Sequence, residues 1–259
     1  MYIAMEACCT SLWKSIGVGN PGMRPKWLTT CRAEKIRLGV LRGAGHLHSL
    51  GVVHGDLSMS NILLKKEGEV KVADFGAVTG HTFLTQDCLC VAYIRPPEAI
   101  LGSPHKGPGV DAWAVAVCAL ALYTGLVPTG PDREPHADEE QRGQHAFAAA
   151  VKLLPAITET NWPGHMDLPL WGKHKSIVVA NHSSCGGLRD LIEKNFLDRT
   201  RDDQTLAAAH RFIQQGLHWN PGARSTMELV EEQLLAMSAK QEIKGCQPSA
   251  NSIGLPIQP

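Results

Sequence analysis

Two carboxylates and a carboxamide stand at Asp56, Asn61 and Asp74, five and then thirteen residues apart. Between them lie apolar Ile62-Leu63-Leu64, a Lys65-Lys66-Glu67-Gly68 turn and the alternating run Val70-Lys71-Val72. That order predicts loop, short strand, turn, short strand, loop: a hairpin whose two mouths open on the same side. Asp56 leads into the first strand and Asp74 leaves the second, so antiparallel pairing draws Asp56, Asn61 and Asp74 together. Phosphoryl transfer needs such a set, with one base to orient an attacking hydroxyl and oxygen ligands for Mg²⁺ on the phosphates.

Helices must position this hairpin. Arg32 to Leu50 carries Ile36, Val40, Leu41, Ala44 and Leu47 on one face and meets Gly51, a residue suited to a C-terminal cap. Gly43 and Gly45 each weaken that helix by about 1 kcal/mol relative to alanine. His46 and His48 lie two apart and point in different directions, which argues against a shared metal. The apolar run Ala112 to Tyr123 predicts a buried helix, since it falls short of the ~20 residues a membrane span needs. Helices are also expected over His145 to Leu154, Leu206 to Leu217 and Met227 to Lys240. The fold class is therefore mainly α (α+β), helical with one small β-hairpin.

The charge balance is 25 basic against 25 acidic residues, net zero, which gives no electrostatic case for nucleic acid or an acidic membrane surface. Eight cysteines show no C-x-x-C pair with metal spacing and read as reduced thiols. Met1 to Thr10 has no basic n-region, so a cytoplasmic or nuclear location is expected. From Gly245 onward Gln, Pro, Ser, Asn and Gly dominate, and residues 241–259 are expected to form a disordered tail.

The run His54-Gly55-Asp56-Leu57-Ser58-Met59-Ser60-Asn61, then Asp74-Phe75-Gly76, then Arg95-Pro96-Pro97-Glu98, resembles the protein kinase family. The Arg-x-Pro-Glu form is similar to the cyclin-dependent-kinase-like branch. Asp111-Ala112-Trp113 resembles the start of that family's buried central helix, and Pro221-Gly-Ala-Arg224-Ser-Thr226 resembles its late Pro-x-x-Arg-x-Thr. The resemblance implies a Ser/Thr protein kinase that uses ATP and Mg²⁺ on protein substrates, with an activating or scaffold protein as a further partner. On it Asp56 is the catalytic base, Asn61 and Asp74 hold the metal, and His54, Phe75 and Gly76 are structural. Asp111 ties down the catalytic loop backbone, and Arg224 pairs with Glu98. Residues 1–16 resemble the segment joining the two kinase lobes, with Met5 at the gatekeeper position and Glu6, Ala7 and Cys8 as a nucleotide-binding hinge.

The resemblance implies one kinase-like domain over 1–240, with 128–186 as an insert whose Trp162 and Trp171 anchor a small core of their own. The family's Gly-rich loop, strand lysine and helix glutamate normally precede the hinge. None is found here, so a C-terminal lobe with its N-terminal lobe largely missing is expected. Gly55 stands where most members carry arginine, Ser58 where Ser/Thr-specific members carry a γ-phosphate-neutralising lysine, and Val91 near a usual threonine. Those departures keep a second function open, that of a pseudokinase or half-kinase scaffold. His-Gly-Asp-Leu-x-x-x-Asn is also similar to aminoglycoside and choline phosphotransferases, a third reading. Thr79, Thr82 and Thr85 fall in the expected activation segment.

Overall fold

The computed structural model describes residues 6–16, 25–66, 68–80, 91–104, 107–127, 138–181, 187–197 and 203–232. Its centre is a helix whose every residue from Val110 to Thr124 is buried, α4 (Gly109–Thr124). A segment that is apolar on all sides has no solvent face to offer, so it can be stable only with neighbours all round it. It stops at Gly125, where φ of 71° lets the Gly125 amide turn back to the Ala121 carbonyl at 2.7 Å.

The other elements surround this axis. Chain order is β1 (Thr10–Ser11), α1 (Leu12–Ile16), α2 (Thr30–Ser49), β2 (Val52–Val53), β3 (Ile62–Leu64), β4 (Val70–Val72) and β5 (Thr79–Gly80). There follow α3 (Pro97–Ile100), α4, α5 (Glu139–Leu153), α6 (Trp171–Asn181), α7 (Gly187–Asn195) and α8 (Asp203–Gly216). Residues 227–232 are helical as well. Among the described residues no helix is long and apolar enough to cross a membrane.

The expected hairpin forms. β3 and β4 pair antiparallel with Ile62 opposite Val72 and Leu64 opposite Val70, and β1 adds to the outer edge of β3 through Thr10 and Leu64. A second ladder joins β2 to β5, Val53 opposite Thr79. Thr79, in the expected activation segment, is thus a strand residue whose Oγ1 is buried without a hydrogen-bond partner among the described residues. Thr82 and Thr85 lie outside the described residues.

Helix α2 begins two residues earlier than the sequence pattern suggests. Thr29 caps it by accepting the Arg32 amide, and Ile36, Val40, Leu41 and Ala44 are buried as foreseen. Its glycines have a use that propensity alone hides. A Cβ on Gly39 would stand 2.7 Å from Val70 Cβ, and one on Gly43 would stand 2.8 Å from Val72 Cγ2. Bare backbone is what lets α2 lie directly on β4. Close approach recurs where α8 meets α4, since a Cβ on Gly216 would fall 2.5 Å from Ala116 Cβ.

The 138–181 stretch does not build a core of its own. Trp162 stacks on Trp219 with ring centres 6.0 Å apart and planes 9° apart, and the Trp219 indole N–H donates to the Pro155 carbonyl at 2.7 Å. Both tryptophans belong to the same hydrophobic core as α4. Helix α5 starts six residues before the expected His145, because Asp138 and Gln141 form a capping box there. Helix α6 has no clear apolar periodicity, whereas α7 carries Leu188, Leu191 and Ile192 at helical spacing and escaped the sequence reading.

Candidate functional site

The hairpin opens where α4 begins. Asp111, wholly buried in the first turn of α4, accepts the His54 amide on Oδ2 at 2.8 Å and the Gly55 amide on Oδ1 at 3.0 Å. His48 Nε2, from the last turn of α2, lies 2.8 Å from the same Oδ2. Three elements thus converge on one carboxylate and fix the entry to the 54–61 loop. The backbone tie from Asp111 was expected; the His48 contact was not. Its sequence signal was a polar residue in register with Leu41 and Ala44 on the buried α2 face, where Arg37 is the other polar member.

Within the loop each side chain is held by the next. His54 is fully buried, its Nε2 lies 3.1 Å from the Ala73 carbonyl, and its Nδ1 accepts the Asp56 amide at 3.3 Å. The Asn61 Nδ2 donates to the Asp56 carbonyl at 2.8 Å and to Asp56 Oδ2 at 3.1 Å. The Ala73 amide donates to the Asn61 carbonyl at 2.9 Å, extending the β3–β4 ladder by one step and bringing Asp74 to the same mouth.

Asp56 Oδ1 is buried and has no hydrogen-bond partner among the described residues. Burial raises the Asp56 carboxyl above its ordinary 3.8. The Asn61 hydrogen bond, the His54 ring and the Val91 backbone N–H oppose that rise, and the charge of Asp74 adds to it.

Asp74 is exposed and has φ of 67°, the one non-glycine residue in the left-handed region among the described residues. Its Oδ1 accepts the Gly76 amide at 3.4 Å, and a single 3-10 turn over Phe75–Ala77 follows. A residue held at positive φ costs of order 1 kcal/mol or more and persists only where its surroundings fix it. Phe75 is exposed, and its ring lies 5.4 Å from the His54 imidazole. Gly55 has φ of 78°, and a Cβ there would meet the Ala77 carbonyl oxygen at 2.8 Å. The backbone itself fills the space a side chain would need.

The remaining expected residues are placed as follows. Met5 lies outside the described residues. Glu6 is exposed and pairs with Lys65 at 2.6 Å, which lowers its carboxyl pKa chiefly through that hydrogen bond. Cys8 is half-buried, and the neighbouring Cys9 amide donates to the Leu64 carbonyl, so the segment rides on the hairpin edge. Ser58 is buried, with its carbonyl accepting the Asn61 and Ile62 amides. Val91 is exposed. Glu98 and Arg224 form a buried two-pronged pair at 2.6 and 2.7 Å, and Arg224 also lies over the Trp113 ring.

The side-chain oxygens of Asn61 and Asp74 are the hard ligands that Mg²⁺ prefers. It commonly takes one or two carboxylates and completes its shell with water and phosphate. Asn61 turns its amide nitrogen toward Asp56, which leaves its Oδ1 as an acceptor. The donor set fits such an ion.

Comparisons with known proteins agree with this geometry. The protein kinase domain family matches residues 1–235. The chain is 34% identical over 176 residues to cyclin-dependent kinase B1-1 of Arabidopsis thaliana, covering 66% of this chain and 54% of that one. It is 26% identical over 245 residues to cyclin-dependent kinase E-1 of the same plant, covering 90% of this chain and 50% of that one. The chain therefore spans about half the length of these relatives. Among solved structures, a crystal structure of the yeast RNA Pol II CTD kinase CTDK-1 complex shares the fold with a TM-score of 0.70 at 18% identity, covering 96% of this chain and 72% of that one. From the Asp111-anchored loop to the Glu98–Arg224 pair, this chain belongs to the protein kinase family.

Proposed function

We propose that this chain carries the base- and metal-bearing half of a Ser/Thr protein kinase site, moving the γ-phosphoryl group of ATP to a protein hydroxyl. The carrying observation is Asp56 Oδ1, buried and without a hydrogen-bond partner among the described residues, on a carboxylate that Asn61 steers through Oδ2. An oxygen so placed can accept the proton of a substrate hydroxyl as that hydroxyl attacks. Asn61 Oδ1 and the Asp74 carboxylate would hold Mg²⁺, which on the phosphates offsets developing negative charge. His54 and Asp111 act at one remove, fixing the backbone on which Asp56 sits. Ser58 brings no cation where Ser/Thr members carry lysine, so transfer is expected to be slow.

The relatives are protein kinases, which favours a protein substrate over the aminoglycoside or choline reading. A scaffold without catalysis is the second reading. It draws on Ser58 and on Gly55, where no side chain fits to supply the guanidinium that would engage an activation-segment phosphate.

The test is thermal unfolding of the 259-residue chain against Mg·ATP, beside the Asp74→Asn variant. A ligand at 100 times its Kd stabilises a fold by about 2.7 kcal/mol. A metal-dependent rise that Asp74→Asn abolishes, with phosphate transfer lost in Asp56→Ala, supports the proposal. An unchanged melting curve at millimolar Mg·ATP sinks it for this chain and leaves the scaffold reading.

A further inference from the structure

Helix α6 is fastened to α5 by a histidine. Among residues 171–180 His174 alone is buried, 3% exposed, while Trp171, Ile177 and Val178 are half-buried and the rest are exposed. Its ring meets the buried Phe147 of α5 edge-on, with centres 6.0 Å apart and planes at 70°. Its Nδ1 is buried and has no hydrogen-bond partner among the described residues. The neutral tautomer with its proton on Nε2 leaves only a lone pair at that atom. The cation must place an N–H there, and burying a donor without an acceptor is unfavourable.

We infer that His174 is an acid-sensitive latch, which holds α6 on α5 when neutral and releases it when protonated. Burial lowers the His174 pKa from the ordinary 6.5, Lys173 adds to that, and Glu140 of α5 opposes it. Those are the two charges that act on the ring. They pair with each other at 2.6 Å on the surface, so neither is free to compensate a cation on His174. His165, in the turn before α6, has what His174 lacks: its Nδ1 lies 2.8 Å from the Trp162 carbonyl and 3.2 Å from the Glu159 carboxylate. Because the folded pKa of His174 lies below the ordinary value, the stability it contributes is fully present above pH 6.5 and is lost as pH falls through the folded value. The latch is also tied to the segment after Glu98. The His174 amide donates to the Leu170 carbonyl at 3.2 Å, and the Leu170 amide donates to the Leu101 carbonyl at 2.9 Å.

Backbone hydrogen exchange on the 259-residue chain at pH 7.5 and 5.5 tests this, with rates corrected for the intrinsic effect of pH. Protection over α6 is expected to fall by up to about tenfold at the lower pH, the ceiling for one proton taken up one unit below 6.5, while α4 keeps its own. His174→Phe and His174→Met keep an apolar group against Phe147 and remove the titration, so each should hold its protection at both pH values. Two variants keep the test decisive where one of them packs badly. His165→Gln should respond to pH as the parent does. Equal protection of α6 at both pH values in the parent overturns the inference. So does a pH response that survives in a His174 variant or disappears in His165→Gln. A fall of the same size in α4 overturns it too, since the whole domain would then be unfolding. Loss of protection at pH 7.5 in both His174 variants would mean that contacts peculiar to histidine, not its charge, hold the helix, and the latch would again be refuted.

Discussion

The carboxylate of Asp111 accepts the backbone N–H of His54 at 2.8 Å, although 57 positions separate them in the chain. Its other oxygen takes the Gly55 amide, and the carboxylate is wholly buried. An aspartate in the first turn of the central helix thereby sets where the 54–61 loop starts, and His48 sets the aspartate.

Asp111→Asn keeps the shape and replaces one acceptor oxygen with an N–H₂ group that faces a backbone donor. Leaving a buried donor unmatched costs about 1–3 kcal/mol. Chemical denaturation should show a loss in that range for Asp111→Asn and a larger one for Asp111→Ala. Mg·ATP-dependent stabilisation should fall in both. A fully stable Asp111→Asn variant would contradict this account of the loop.

The Glu98–Arg224 pair gives a second expectation. It ties α3 to the loop after α8, and Arg224 donates also to the Gly109 carbonyl at 2.8 Å and the His218 carbonyl at 2.9 Å. Removing one partner from a buried pair costs about 3–5 kcal/mol, because the other charge is left without compensation. Arg224→Met should lose that much in urea unfolding, and Glu98→Gln with Arg224→Met together should lose less than the sum of the two single changes.

A third expectation concerns pH. Burial lifts the folded-state pKa of Asp56 above the ordinary 3.8, so the folded state holds its proton more tightly than the unfolded chain. The associated stability is fully present below pH 3.8 and is lost as pH rises through the folded pKa. At neutral pH the ionised carboxylate is therefore a burden on the fold. Asp56→Asn, which retains an oxygen for Asn61, should melt higher than the parent at pH 7, and the difference should shrink as pH falls below about 4. A difference that does not change with pH would mean burial is not what perturbs this group.

The sequence by itself determined a good deal. The 56, 61 and 74 spacing with two short apolar runs between was enough to foresee the hairpin, because strand pairing is local and its register follows from a short turn. The all-apolar run from Ala112 was enough to foresee a buried helix, and the resemblance to the kinase family carried by Glu98 and Pro-x-x-Arg implied their pairing. What escaped was whatever depends on neighbours distant in the chain. His48 carried no assigned role beyond facing away from His46 until Asp111 stood opposite it. Gly43 looked like a weak point in its helix until Val72 occupied the space it leaves, and Gly39 and Gly216 make the same close approach to Val70 and Ala116. Trp162 looked like the anchor of a separate insert until it stacked on Trp219. Helix α6 has no apolar stripe of its own, so its place was decided only by the core it completes. Local spacing fixes which backbone segments form; only tertiary packing decides which buried polar groups meet and where the backbone must come close enough to exclude a side chain.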